Sequence, residues 1–148
     1  MSRLIEDVRK FMESADCTVD RHNPKQASLY LGLVAEELSE AIDAIGTAPT
    51  AARMISALAD ALKQHDGSQL ADMTHEQRTG LFDAALDIAW VAIGLAYSIG
   101  ADPECGAIEV ARSNLSKIGA SGKMERDGNG KVIKGRNYSP PNLAPLVS

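Results

Sequence analysis

Residues 33 to 45, LVAEELSEAIDAI, set Glu36, Glu37 and Glu40 into a run otherwise built almost entirely of Leu, Val, Ala and Ile. A helix advances about 100° per residue, so Glu36 and Glu40 share a face, with Glu37 one position round from it. Such a segment has two uses. Either it is an amphipathic helix whose acids stay in water, or it brings carboxylates to the edge of a core. Carboxylates that leave water repel one another and cost stability unless something positive stands beside them.

The rest of the chain is built to the same period. Leu4, Ile5, Val8, Phe11 and Met12 predict a first helix over 3–15. HNPKQ breaks it, and Pro24 suits the first turn of a second helix running from about Lys25 to Ile45, with Leu29, Leu33, Leu38, Ile42 and Ile45 as its apolar stripe and Gly46 as its stop. Met54, Ile55, Leu58 and Leu62 mark a third helix before Gly67, and residues 68–75 read as a loop. Thr74 and Gln77 have the spacing of a capping box for a fourth helix through Trp90, a core residue on this reading, to about Ile99. A shorter helix follows over Pro103–Ile118. The remainder is rich in Gly, Asn, Ser and Pro, with a short hairpin expected around DGNG at 127–130. The expected fold is a single all-α domain: a four-helix bundle core over about 3–118, one extra helix and an irregular basic tail over 119–148.

At 148 residues, with 45 % apolar and 24 % charged residues, the chain is an ordinary globular one. The first residues mix charge into apolar positions, and no apolar run comes near the roughly 20 residues of a membrane span, which points to the cytoplasm. Cys17 and Cys105 lack CxxC spacing and read as reduced thiols. A net charge of −5 argues against binding a nucleic-acid polymer. The charge is divided: residues 112–136 carry Arg112, Lys117, Lys123, Arg126, Lys131, Lys134 and Arg136 against Glu125 and Asp127, a split of acidic body and basic tail that suits one anionic ligand held between the two.

A second acidic pair, Asp83 and Asp87, repeats the one-turn spacing amid Leu86, Ile88, Trp90, Val91 and Ile93. If the two helices pack together, five carboxylates share a partly dry space and require a cation. His22, His65 and His75 include no pair at ligand spacing, and the Glu-x-x-His pattern of di-iron bundles is missing. All-oxygen ligation suits Mg²⁺ or Mn²⁺. The bland alternative is a solvated acidic bundle.

With EELSE at 36–40, DAALDIAWVAIGLAYSIG from Asp83, EVARSNLSKIG from Glu109 and DGNGKVIKGRNYSPPNL from Asp127, the sequence resembles the MazG-like all-α nucleoside triphosphate pyrophosphohydrolases. This group includes phosphoribosyl-ATP pyrophosphohydrolase and the dimeric dUTPases. The resemblance spans most of 25–143 and is nearest the phage and bacterial branch. It implies a homo-dimer or tetramer that cleaves a nucleoside triphosphate to the monophosphate and pyrophosphate with Mg²⁺ or Mn²⁺. It assigns Glu36, Glu37, Glu40 and Asp87 as metal ligands. Much of the family has ExxD on the second acidic helix; its Glu falls on Ala84 here, and Asp83, next to it, stands in as a ligand.

On this resemblance Glu37, off the line of Glu36 and Glu40, is the candidate general base. Asn114 and Lys117, one turn apart in the SNLSK match, are candidates for phosphate contact, with Lys131 and Lys134 in support. Tyr138 either stacks on a base or closes the bundle with Pro140 and Pro141, the second being favoured. Gln26, with Asn23, either reads a base edge or belongs to a turn. Base and sugar preference stay open, dGTP and dUTP being candidates. The rivals are a non-catalytic helical interaction module and a phosphohydrolase that releases only the terminal phosphate.

Overall fold

The computed structural model describes residues 3–128 and 131–148. The chain is all-α: six helices and a short 3₁₀ turn, with no strand beyond isolated bridges among the described residues. It divides into two compact units, one holding Asp20–Asp72 with Arg126–Lys131, the other the chain up to Val19 with Met73–Glu125 and Val132–Ser148.

In the first unit, α2 (Pro24–Ile45) and α3 (Pro49–Gln64) form an antiparallel hairpin. Asn23 caps α2 by accepting from the Gln26 N–H, and Pro24 occupies the first turn, where its missing donor costs nothing. Gly46 ends the helix at φ +71°, a left-handed conformation that most side chains resist. Ser28 Oγ donates to the Leu62 carbonyl at 2.8 Å and Ser39 Oγ to that of Ala52 at 2.8 Å, which fixes the register along the pair. Between them lies Gly32. A Cβ there would stand 2.6–2.9 Å from Lys63 Cγ, the Ala59 carbonyl oxygen and the Lys63 nitrogen, so the two backbones approach closely only because α2 has no side chain at this point. Buried Leu29, Ala52 and Ala59 complete the seam. A one-turn helix, α4 (Ser68–Ala71), follows Gly67 and lies against α2, where the sequence predicts only loop; the His22 ring meets the Leu70 carbonyl at 2.9 Å.

The second unit contains α1 (Arg3–Ser14), α5 (His75–Ser98) and α6 (Pro103–Leu115). α1 lies along α6, and α5 touches α6 sparingly. The Thr74–Gln77 capping box is present in both directions. Asp102 caps α6, which stops at Leu115 rather than Ile118, because Lys117 and Ile118 close tight turns on Asn114 and Leu115. The tail runs back over α6: Glu109 takes two hydrogen bonds from Arg112 and one from the Asn142 N–H, Arg112 donates to the Pro140 carbonyl, and Ser139 N–H donates to Ser116 Oγ. These bonds hold the Glu109 carboxyl well down, to about 2. The centre of the expected DGNG hairpin lies outside the described residues; beside it Asp127 N–H donates to the Lys131 carbonyl.

Several predicted core positions are exposed. Leu38 and Ile45 on α2, Met54 and Leu58 on α3, and above all Trp90 at 80 % exposure lie at the surface of the chain. On α3 the residues that meet α2 are small, Ala52 and Ala59, so the larger side chains are displaced to the flank. α5 corrects a second expectation, for by length and composition it is apolar enough to cross a membrane; a mostly buried core helix meets the same test, whereas α5 is left exposed by its own chain.

Gly32→Val pushes a branched side chain into the backbone of α3, and we expect a loss of about 1–3 kcal/mol in urea denaturation. Gly46→Ala, at a left-handed cap with nothing near its Cβ, carries only the conformational cost of about 1 kcal/mol.

Candidate functional site

The half-buried glutamate of the motif is Glu36; Glu37 and Glu40 are exposed. The reason is angular. The line of α2 that meets α3 runs through Ser28, Gly32 and Ser39, and Glu36, one turn beyond Gly32, borders it, whereas Glu37 and Glu40 rotate away.

Two ammonium groups meet at Glu36. Lys63 Nζ, carried by α3, donates to Oε1 at 3.1 Å and also pairs with Asp60 at 3.0 Å. Lys131 Nζ donates to both oxygens at 2.8 Å. The backbone of Lys131 is itself fixed by its N–H donating to Asp127 Oδ1 at 2.9 Å. The Glu36 carboxyl is therefore held below its ordinary value, first by the Lys131 hydrogen bond, with partial burial opposing and Lys63 assisting. For Lys63, burial acts against the charge, and the hydrogen bonds from its ammonium to Asp60 and Glu36 outweigh it, so its pKa is raised.

Lys63 is the residue that sequence reading missed. One lysine among 15 basic residues carries no distinguishing pattern, and its place depends on the register that Gly32 permits. Gly32, one turn before Glu36 in an otherwise helical run, was the available signal.

A second cluster lies in the other unit. Lys117 Nζ donates to Asn114 Oδ1 at 2.8 Å and stands 5.7 Å from the centre of the Phe11 ring and 5.9 Å from that of Tyr138. Lys134 Nζ lies 4.9 Å from the Tyr138 ring centre. Two cations thus face one half-buried aromatic ring, which attracts each through its negative face. In the SNLSK segment Ser113 is buried and Ser116 bonds the tail. Gln26 is half-buried, with its backbone N–H used in the α2 cap.

The predicted residues accordingly fall into groups. Glu36, Glu37, Glu40, Gln26 and Lys131 belong to the α2–α3 unit, and Asp83, Asp87, Asn114, Lys117, Lys134 and Tyr138 to the other. Asp83 and Asp87 are exposed on α5. The carboxylates are hard oxygen donors of the kind Mg²⁺ and Mn²⁺ take. Within either unit, among the described residues, no three His, Cys, Asp or Glu side chains gather as a ligand set; Glu36 is turned to lysines instead. Comparison with family models, curated proteins and solved structures finds no match to this chain.

Because its folded pKa is depressed, the Glu36 pairing contributes stability above the ordinary glutamate value and loses it as pH falls through the lower folded value. In a carbon-13 NMR titration, Lys131→Ala should move the Glu36 midpoint upward. An unchanged midpoint would show that Lys131 does not hold this carboxylate in solution.

Proposed function

We propose that the chain is a metal-dependent nucleoside triphosphate pyrophosphohydrolase of the MazG-like all-α kind, with a four-helix bundle core, acting as a homo-dimer or tetramer. The observation that carries this reading is the ordered series EELSE, DAALD, SNLSK and GKVIKGRNYSPP. The clustering of cations at Glu36 and around Tyr138 supports it, since ammonium groups are suited to phosphate oxygens.

In the proposed reaction, water adds to phosphorus and the bond to the oxygen bridging the α- and β-phosphates breaks, giving a nucleoside monophosphate and pyrophosphate. Glu37 accepts the proton of the attacking water as general base. Glu36, Glu37 and Glu40 are the proposed ligands for Mg²⁺ or Mn²⁺, and the resemblance adds Asp87 and Asp83. A divalent cation supplies charge neutralisation on the triphosphate and makes water more acidic. Asn114 and Lys117 orient phosphate and Lys131 and Lys134 assist; Tyr138 and Gln26 are the candidates for contact with the nucleoside, with packing favoured for Tyr138 and a turn role as the alternative for Gln26. The proposed role is the cleaning or control of a deoxynucleotide pool in the cytoplasm, with dGTP and dUTP as the first candidate substrates.

Incubation with each common dNTP and NTP in Mg²⁺, Mn²⁺ or EDTA, followed by ion-exchange chromatography, tests the reaction class. We expect monophosphate and pyrophosphate, lost with EDTA and reduced about 100-fold or more by Glu40→Gln. Orthophosphate as sole product would favour terminal-phosphate release, and no turnover of any nucleotide would favour an interaction module. Lys117→Ala should raise KM about 10- to 100-fold, the loss of one charge-assisted contact; an unchanged KM removes Lys117 from the phosphate site.

A further inference from the structure

Helix α5 is 24 residues long, and none of its residues is buried by the chain that carries it. At 100° per residue its side chains sort into four strips. Phe82, Leu86, Trp90, Ile93 and Tyr97 make one apolar face, and Ile88, Val91, Leu95 and Ile99 continue the same spacing on the opposite side. Ala85, Ala89, Ala92 and Ala96 line one side between the two faces, and Asp83 and Asp87 the other. Trp90 is 80 % exposed, Tyr97 65 % and Phe82 64 %. Toward its C-terminal end, Ile93 and Tyr97 border a cavity of about 370 Å³ with residues of α1 and α6.

We infer that α5 is the interface between two copies of this chain, its Phe82–Leu86–Trp90 face covered by the same helix of the second copy. Exposed area supports that occupant. With roughly 150–250 Å² to an aromatic residue, Phe82, Trp90 and Tyr97 alone offer roughly 300–500 Å². The aliphatic residues add to this, against about 800 Å² that each partner contributes to a standard interface. Every copy presents the same surface, so a twofold arrangement covers both at once.

A lipid bilayer is the poorer occupant. Asp87 falls near the middle of α5, and an aspartate at mid-membrane costs about 2.5–3.5 kcal/mol, with Asp83 one turn away adding to it. The alanine strip instead admits a second helix at short range.

This interface gives a surface to the oligomer proposed above, and its test is independent of catalysis. The protein has one tryptophan, so Trp90 emission reports this face alone. In sedimentation equilibrium we expect twice the chain mass of 15.7 kDa or a higher even multiple, with a blue-shifted Trp90 emission that moves to the red on dilution as the mass falls. Leu86→Glu, at a position its own chain leaves exposed, should yield a monomer at concentrations where the wild-type chain is associated. A wild-type monomer with water-exposed Trp90 overturns the inference. So does a monomer with shielded Trp90, which would place another part of the same chain on the face. Emission that shifts to the blue only on adding phosphatidylcholine vesicles would assign the face to a membrane. An oligomer that survives Leu86→Glu would put the interface elsewhere. Should that variant fail to fold by circular dichroism, coincidence of the wild-type mass and emission transitions decides the matter.

Discussion

The α2–α3 unit depends on the missing side chain at Gly32. With nothing projecting there, the α3 backbone reaches α2, the Ser28 and Ser39 hydroxyls find carbonyls across the seam, and Lys63 arrives beside Glu36. A carboxylate bordering such a seam is partly stripped of water and must be compensated. Lys63 begins that compensation from 27 residues away in sequence, and Lys131 completes it from 95 residues away. One glutamate thus joins two helices and a distant turn, and its charge is satisfied only when all three are in place.

That arrangement bears on how an acidic helix folds before any cation is bound. Like charges one turn apart destabilise a helix modestly, and partial burial makes the penalty larger. Two ammonium groups on Glu36 leave Glu37 and Glu40 as the water-facing members of the motif. Under the proposed function, Glu36 would serve as a metal ligand only with Lys63 and Lys131 displaced from its oxygens. The displaced ammonium groups would then be available to a phosphate, so the net charge around the carboxylate need not change greatly between the two states.

Local signals were the legible part of the sequence. The Thr74 capping box, Pro24 in a first turn and the Gly46 stop act within a few residues, and their pattern is visible in the order of side chains alone. Burial was less legible, because periodicity says which residues share a face and not what covers it. Met54 and Leu58 keep the spacing of a core stripe, yet the α2 contact is made by Ala52 and Ala59, whose small side chains permit the closer approach. The Glu36 partners were illegible for a related reason: an ion pair between distant segments is set by register, and register here is set by a glycine. The three glutamates of α2 and the two aspartates of α5, read as one convergent group should their helices pack together, belong to different units of the fold.

Trp90 shows the same limit from the other side. Its apolar surroundings in sequence read as core, and its own chain leaves it in water. The narrow acidic strip of α5 gives that conflict a physical consequence. If the flanking apolar faces are covered, Asp83 and Asp87 come to lie at the rim of a region with fewer waters, where a charged group needs hydrogen-bond partners or a counter-charge. An apolar interface and a pair of aspartates on one helix are compatible only where the strip stays open to water or gains a counter-charge. Covering α5 and neutralising its carboxylates are therefore coupled problems for this chain.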